Sequence, residues 1–164
     1  MSEKQSLIDA RPEESKRLHP NSIKASRISH GIFAIILMIG GSVASFFAAS
    51  WYLLLIITAV VLLIFLSGYI WARKSYQYTW YWLTEEGLYI QRGVLWRRKT
   101  LVPRNRIQHT DVGQGPLQRK FSLAKLVVYT AGTRDASVPL DGLEFEVANE
   151  LREQLRQDGD DDAV

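Results

Sequence analysis

The segment VPRNRIQHTDVGQGPLQRKF, Val102–Phe121, gathers residue types that can do chemistry. His109 and Asp111 alternate as neighbours on one face of a strand would, and Ser122 follows closely. Together they raise the idea of a hydrolytic triad, which needs a nucleophile, a base and an orienting acid in mutual contact beside an oxyanion site. The segment has no nucleophile elbow and no second histidine nearby, so His109 reads as a surface or strand-end residue and no catalytic residue is assigned. The glycine turn DVGQGPLQRK suggests a phosphate loop, but it lacks the GxxxxGK[ST] spacing. Pro116 also removes an amide donor. The better reading is a turn that re-aims the chain.

No other chemistry is better supported. The chain has no cysteine, which removes disulfides, thiolate metal sites and thiol nucleophiles. Its histidines (His19, His30, His109) are far apart in sequence and the only acidic cluster is the C-terminal DGDDD. No metal and no cofactor is expected. The sharpest candidates for contact with something outside the chain are basic: Arg97, Arg98, Lys99, Arg104 and Arg106. A polybasic surface suits anionic lipid at an inner leaflet, where each Lys or Arg near the surface gains about 1 kcal/mol. Nucleic acid is the competing polyanion. No recognition helix or RNP-type aromatic motif accompanies the basic residues, so nucleic acid is not expected.

The elements that must position these residues follow from the hydropathy pattern. No Asp, Glu, Lys or Arg occurs between Ile28 and Ala72. Gly31–Ala72 is 42 residues, or roughly 63 Å of helix at 1.5 Å per residue. That is about twice the 30 Å hydrocarbon core. Backbone polar groups in lipid must be satisfied internally, which predicts two transmembrane helices, about 29–48 and 52–72, joined by a tight turn near Ser50, Trp51 and Tyr52. A cleaved signal peptide has a much shorter apolar region. Lys16, Arg17, Lys24 and Arg27 precede the first span, Arg73 and Lys74 follow the second, and the tip has no base. The positive-inside rule then places both termini in the cytoplasm. In the first span Gly40, Ala44 and Ala48 recur every four residues, as do Gly41, Ser45 and Ala49. Small residues at this spacing let helices approach closely, so Gly40, Gly41, Ala44, Ser45 and Ala48 are expected to pack the hairpin on itself or on a partner's helices. His30 sits at the mouth of the span.

Beyond Arg73 the period changes to two. In YQYTWYWLT, Tyr78, Trp80 and Trp82 face one way and Thr79, Tyr81 and Leu83 the other. TEEGLYIQRG reads as a turn at Glu85–Gly87 and a strand over Leu88–Arg92; VLWRRKTLV, RIQHTDV, AKLVVYT and SVPL read as further strands, PLQRKF as a helical turn and AGTRDA as a loop. Leu143, Val147, Leu151 and Leu155 then mark an amphipathic helix. Asp141 is expected as its N-cap with Glu144 completing a capping box, and Gly159 as its C-terminal end. The expected organisation is an N-terminal tail over 1–27, a transmembrane hairpin over 28–74, a soluble domain over 76–157 and an acidic disordered tail over 158–164.

WYWLTEEGLYIQRGVLWRRKTLVP, RIQHTDVGQGPLQRKFSLAKLVVYTAG and DGLEFEVANELREQL, placed after an apolar hairpin, resemble the bacterial pleckstrin-homology-like family of membrane-flanked domains (YdbS-like membrane proteins). The resemblance covers about 76–156. It rests on Arg106-Ile107-Gln108, Gln114-Gly115-Pro116-Leu117, Gln118-Arg119 and Thr130-Ala131-Gly132 taken together. It implies an α+β membrane protein in which a PH-like split β-barrel of about seven antiparallel strands is capped by a C-terminal helix. It also implies a bacterial inner-membrane location, no catalytic residues, and assembly with a membrane protein of the same family or with further copies of the chain. Anionic-lipid sensing through the basic strand face is the alternative. Phosphoinositide-binding relatives carry basic residues in the first hairpin loop, where this chain has Glu85 and Glu86, whose charges would repel such a headgroup.

Overall fold

The computed structural model describes residues 12–131 and 137–161, with side chains as far as Arg156. The chain divides into two compact units. One is Ile23–Lys74; the other joins the segment ending at Ser22 to the chain from Ser75 onward.

The first unit holds the apolar lengths of two 27-residue helices, α1 (Asn21–Phe47) and α2 (Trp51–Gln77). Both are long and apolar enough to cross a membrane, and only 11% of each apolar window is buried in protein. A helix of a soluble core would be mostly covered, so these faces are built for lipid. The two helices pack antiparallel. Gly41 takes Ile57 and Gly31 takes Phe65, while the His30 ring lies against Gly68. The turn between the helices follows from local chemistry. Ala49 has φ 49°, the Ala49 N–H donates to the Phe46 carbonyl, and the Ser50 N–H donates to Ser45 at 3.3 Å. This is the paired closure of a Schellman C-cap. Both helices extend beyond the apolar run: α1 begins at Asn21, whose N–H donates to Nδ1 of His19, and α2 continues through Arg73–Gln77.

Among its described residues the second unit has seven strands in two antiparallel sheets, with a C-terminal helix. The first sheet has the order β1 (Lys16–Arg17), β2 (Trp80–Leu83), β3 (Gly87–Arg92), β4 (Arg98–Pro103). A 3-10 turn, Arg104–Arg106, leads to the second sheet: β5 (Ile107–Gly113), β6 (Leu123–Thr130), β7 (Ser137–Glu144). A short helix α3 (Pro116–Lys120) links β5 to β6, and α4 (Phe145–Asp161) closes the unit. Tyr81, Leu88, Ile90, Val102, Ala124, Leu126, Val128, Leu140 and Leu143 form the buried core with Ala148, Leu151 and Leu155 of α4. The period-two and four-residue patterns read from the sequence therefore point into one core.

Three local readings need correction. Lys16 and Arg17, expected in a tail, pair with Tyr81 and Trp80 as a sheet-edge strand. Asp141 does not cap α4. It lies in β7, register-paired with Lys125, and its carboxylate is 3.9 Å from the Lys125 ammonium. A bulge at Gly142 (φ 84°) lets β7 run on to pair Leu143 with Ala124 and Glu144 with Leu123. Continued pairing satisfies more backbone than an earlier helix start would, so Leu143 closes the strand and does not begin the helical stripe. Gly142 also receives the N-terminal segment: its carbonyl accepts from the His19 N–H at 2.8 Å. A Cβ there would lie 2.9 Å from that of Ser22. Finally, α4 continues past Gly159 to Asp161. Most of the AGTRDA loop, Gly132 of the family-like motif, the first eleven residues and the last three lie outside the described residues.

Candidate interaction surface

The face of the first sheet opposite the main core cluster carries the alternate residues, of which Trp82 is itself buried and Tyr89 half-buried. Trp82 and Tyr89 stack with centroids 5.2 Å apart and planes within 6°. The Lys99 ammonium sits 4.9 Å from the Trp82 ring and 5.2 Å from that of Tyr89. Arg17 lies 4.3 Å over Trp80, and Arg97 5.8 Å from the Tyr78 ring. Cations attracted to aromatic faces in this way hold a basic surface in a defined arrangement. The Tyr89 hydroxyl donates to Glu86 at 2.7 Å, and this bond is the main cause of a phenol pKa above its usual value.

The basic candidates separate into groups. Arg97, Arg98 and Lys99 are exposed at the β3–β4 connection and the start of β4. Arg104 belongs elsewhere. Its Nε donates to the Thr84 carbonyl and its Nη1 to Gln154, both at 3.1 Å, and its backbone N–H donates to Glu86. It therefore ties the β2–β3 turn to α4. Arg106 is exposed, and its carbonyl accepts from the Ala131 N–H. Sequence reasoning grouped the five by charge; only the fold shows that Arg104 is committed to carbonyls.

The β3–β4 connection itself was not singled out from the sequence. Leu95 is 76% and Trp96 88% exposed, the highest values for large apolar residues among the described residues of this unit. The run VLW between Gly93 and Arg97 reads as the start of a strand, and that concealed a hairpin tip. The usable signal was Gly93 followed by an apolar pair and three bases.

A groove of about 550 Å³ lies between β5 and α4, lined by Arg104, Gln108, His109, Arg152, Glu153 and Arg156 among others. Its volume suits a small ligand. However, Glu153 already engages Arg152 at 3.0 Å and Arg156 at 3.5 Å, and Arg104 is committed as above. His109 stacks on Tyr129 with centroids 4.1 Å apart. Tyr129 is the register partner of His109, and Ser122 lies just before β6, at its opposite end. The spacing along β6 is roughly 20 Å at 3.3 Å per residue, so the fold does not bring His109 and Ser122 together.

The turn after β5 is structural. Gln114 Nε2 donates to the Leu123 carbonyl and the Gly115 N–H to Oε1 of Gln118, each at 2.7 Å. Pro116 occupies the first turn of α3, where a missing N–H costs nothing. Gln114, Gly115, Pro116 and Gln118 of the family-like run thus each have a geometric task.

In the hairpin, Gly41 and Ser45 face α2. Ser45 is buried and its hydroxyl donates to the Gly41 carbonyl at 2.9 Å, and a Cβ on Gly41 would collide with Ile57. Gly40, Ala44 and Ala48 are exposed, and a Cβ on Gly40 would meet nothing within 4 Å. His30 Nδ1 lies 2.7 Å from the Ser26 carbonyl. That carbonyl can only accept, so Nδ1 carries the proton.

Comparison with known proteins agrees with this architecture. The sequence model of the family described as Bacterial PH domain matches residues 28–159. The chain is 39% identical over 75 residues to the UPF0699 transmembrane protein YdbS of Bacillus subtilis (strain 168). That match covers 46% of this chain and 45% of the relative, so it spans less than half of either. No solved structure matches the chain.

Proposed function

The chain belongs to the bacterial PH domain family, and from that premise we propose that it is a non-enzymatic, membrane-anchored interaction module that assembles with another membrane protein of the same family. The observation that carries this reading is the division of the small residues of α1. One row, Gly41 and Ser45, is used inside the hairpin. The other, Gly40, Ala44 and Ala48, is left exposed between bulky exposed neighbours that include Ile36, Val43 and Phe47. Lipid tails gain nothing from a row of missing side chains, whereas a second helix gains close van der Waals approach. In this reading the protein lies in a bacterial inner membrane with both termini and the PH-like unit in the cytoplasm. The support is the basic residues flanking both spans and the base-free tip.

Cysteine cross-linking tests the assembly. The chain has no native cysteine, so single cysteines at Gly40 or Ala44 are the only thiols it presents. Cross-linking in native membranes should yield a discrete adduct with another membrane protein from these positions and none from Leu63 on α2. Ala44→Leu should abolish adduct formation from Gly40. A chain that stays monomeric from every position would defeat the proposal, and an adduct of twice the chain's mass would identify a second copy as the partner.

A further inference from the structure

We propose that the β3–β4 hairpin tip is a membrane-docking element, with Leu95 and Trp96 entering the interfacial zone of an anionic leaflet and Arg97, Arg98 and Lys99 lying at the level of the lipid phosphates. The tip is a built feature. The last register pair before the loop is Arg92 with Arg98. Gly93 has φ 129°, and a Cβ there would run into the Trp96 carbonyl. Only glycine lets the chain turn this tightly, and the turn leaves Leu95 and Trp96 exposed. The loop base is held by the Gln91–Lys99 and Arg92–Arg98 pairs and by a hydrogen bond from Arg92 Nη1 to the Pro139 carbonyl at 3.2 Å. A tip already held in shape loses little conformational freedom on docking.

Its composition selects the surface. Tryptophan concentrates at the headgroup level of bilayers because its ring is apolar and its N–H polar. From Gly87 to Thr110 the sequence has no Asp or Glu, and the run Arg97-Arg98-Lys99 directly follows the apolar pair Leu95-Trp96. Basic residues next to an inserted apolar pair add attraction to anionic lipid. The chain is anchored by its own spans, with only Tyr78 and Thr79 between α2 and β2. A tethered element acts at high effective concentration, so two apolar residues suffice where a free domain would need a larger patch. A protein partner could also use an exposed Trp with arginines, and the test separates the two.

The full chain is reconstituted in nanodiscs with an environment-sensitive fluorophore on Leu95→Cys or, separately, Trp96→Cys. In discs containing phosphatidylglycerol the emission should shift to the blue and be quenched by lipids carrying a shallow nitroxide. A label on Gln108→Cys, exposed on β5, should keep an aqueous spectrum. Combined Arg97→Gln, Arg98→Gln and Lys99→Gln, or discs of phosphatidylcholine alone, should lower the quenching by about threefold or more, and high salt should act the same way. An aqueous, unquenched label at both tip positions in anionic discs would overturn the proposal. So would a label that is shielded only when other membrane proteins are added and stays beyond reach of the lipid quencher, since that result assigns the tip to a protein partner.

Discussion

Replacing Arg104 by alanine distinguishes a structural cation from a surface one. The side chain makes a part-buried hydrogen bond to the Thr84 carbonyl and an exposed one to the Gln154 carbonyl, both at 3.1 Å. Hydrogen bonds involving a charged group contribute about 1.5–3 kcal/mol when sheltered and less in water. Taking the lower end for the sheltered bond and a few tenths for the exposed one gives about 2 kcal/mol. For a unit of roughly 100 residues, each kcal/mol moves the melting temperature by about 4–8 °C, so a fall of about 8–16 °C is expected. Arg104→Lys should recover little, because one ammonium cannot span two carbonyls held by different elements. Arg106→Ala should stay within about 0.5 kcal/mol of the parent, since Arg106 is exposed and its backbone bond to Ala131 survives. The assay is thermal unfolding of the full chain in nanodiscs, followed by near-ultraviolet circular dichroism of the β2–β3 aromatic stack. Equal melting temperatures for the Arg104 and Arg106 variants would refute the assignment.

Other perturbations follow from the same geometry. Gly87 has φ 147°, and a Cβ there would strike the Val102 carbonyl, so Gly87→Ala should cost about 2 kcal/mol or more and lower the urea midpoint. The Tyr81 phenol is raised above its usual 10.0, first by burial and second by the charge of Glu150. The folded chain therefore holds this proton more tightly than the unfolded chain does. The stability it contributes is intact below about pH 10 and is lost as the pH rises through the folded value; urea midpoints between about pH 9 and 11 should fall less steeply for Tyr81→Phe. For the proposed topology, a cysteine at Ser50 should be labelled by an impermeant reagent from outside the cell and one at Gln77 should not, and the reverse pattern would invert the orientation.

The sequence carried its long-wavelength information openly. An uncharged run of twice the bilayer thickness, the alternation at Trp80–Leu83 and the four-residue spacing of Val147, Leu151 and Leu155 are each set by one face of one element meeting one kind of medium. Such patterns survive without knowledge of neighbours, so helical hairpin, strands and closing helix could all be read along the chain. Gln114 to Gln118 was readable as a turn for a similar reason, because the Gly115–Gln118 hydrogen bond closes within three residues and the Gln114–Leu123 bond within nine.

What needed the tertiary structure depended on partners distant in sequence. Lys16 and Arg17 became a strand only because Trp80 and Tyr81 offered them an open edge. The bulge at Gly142 could keep β7 extended only because β6 supplied two more register partners, which displaced Asp141 from its expected cap. Arg104 left the basic surface for carbonyls 20 and 50 residues away, and the two small-residue rows of α1 separated only once α2 covered one of them. Charge and hydropathy determine what a residue can favour. Which of several equally polar or equally small residues meets water, lipid or protein is decided by the elements packed around it, and no local window contains them.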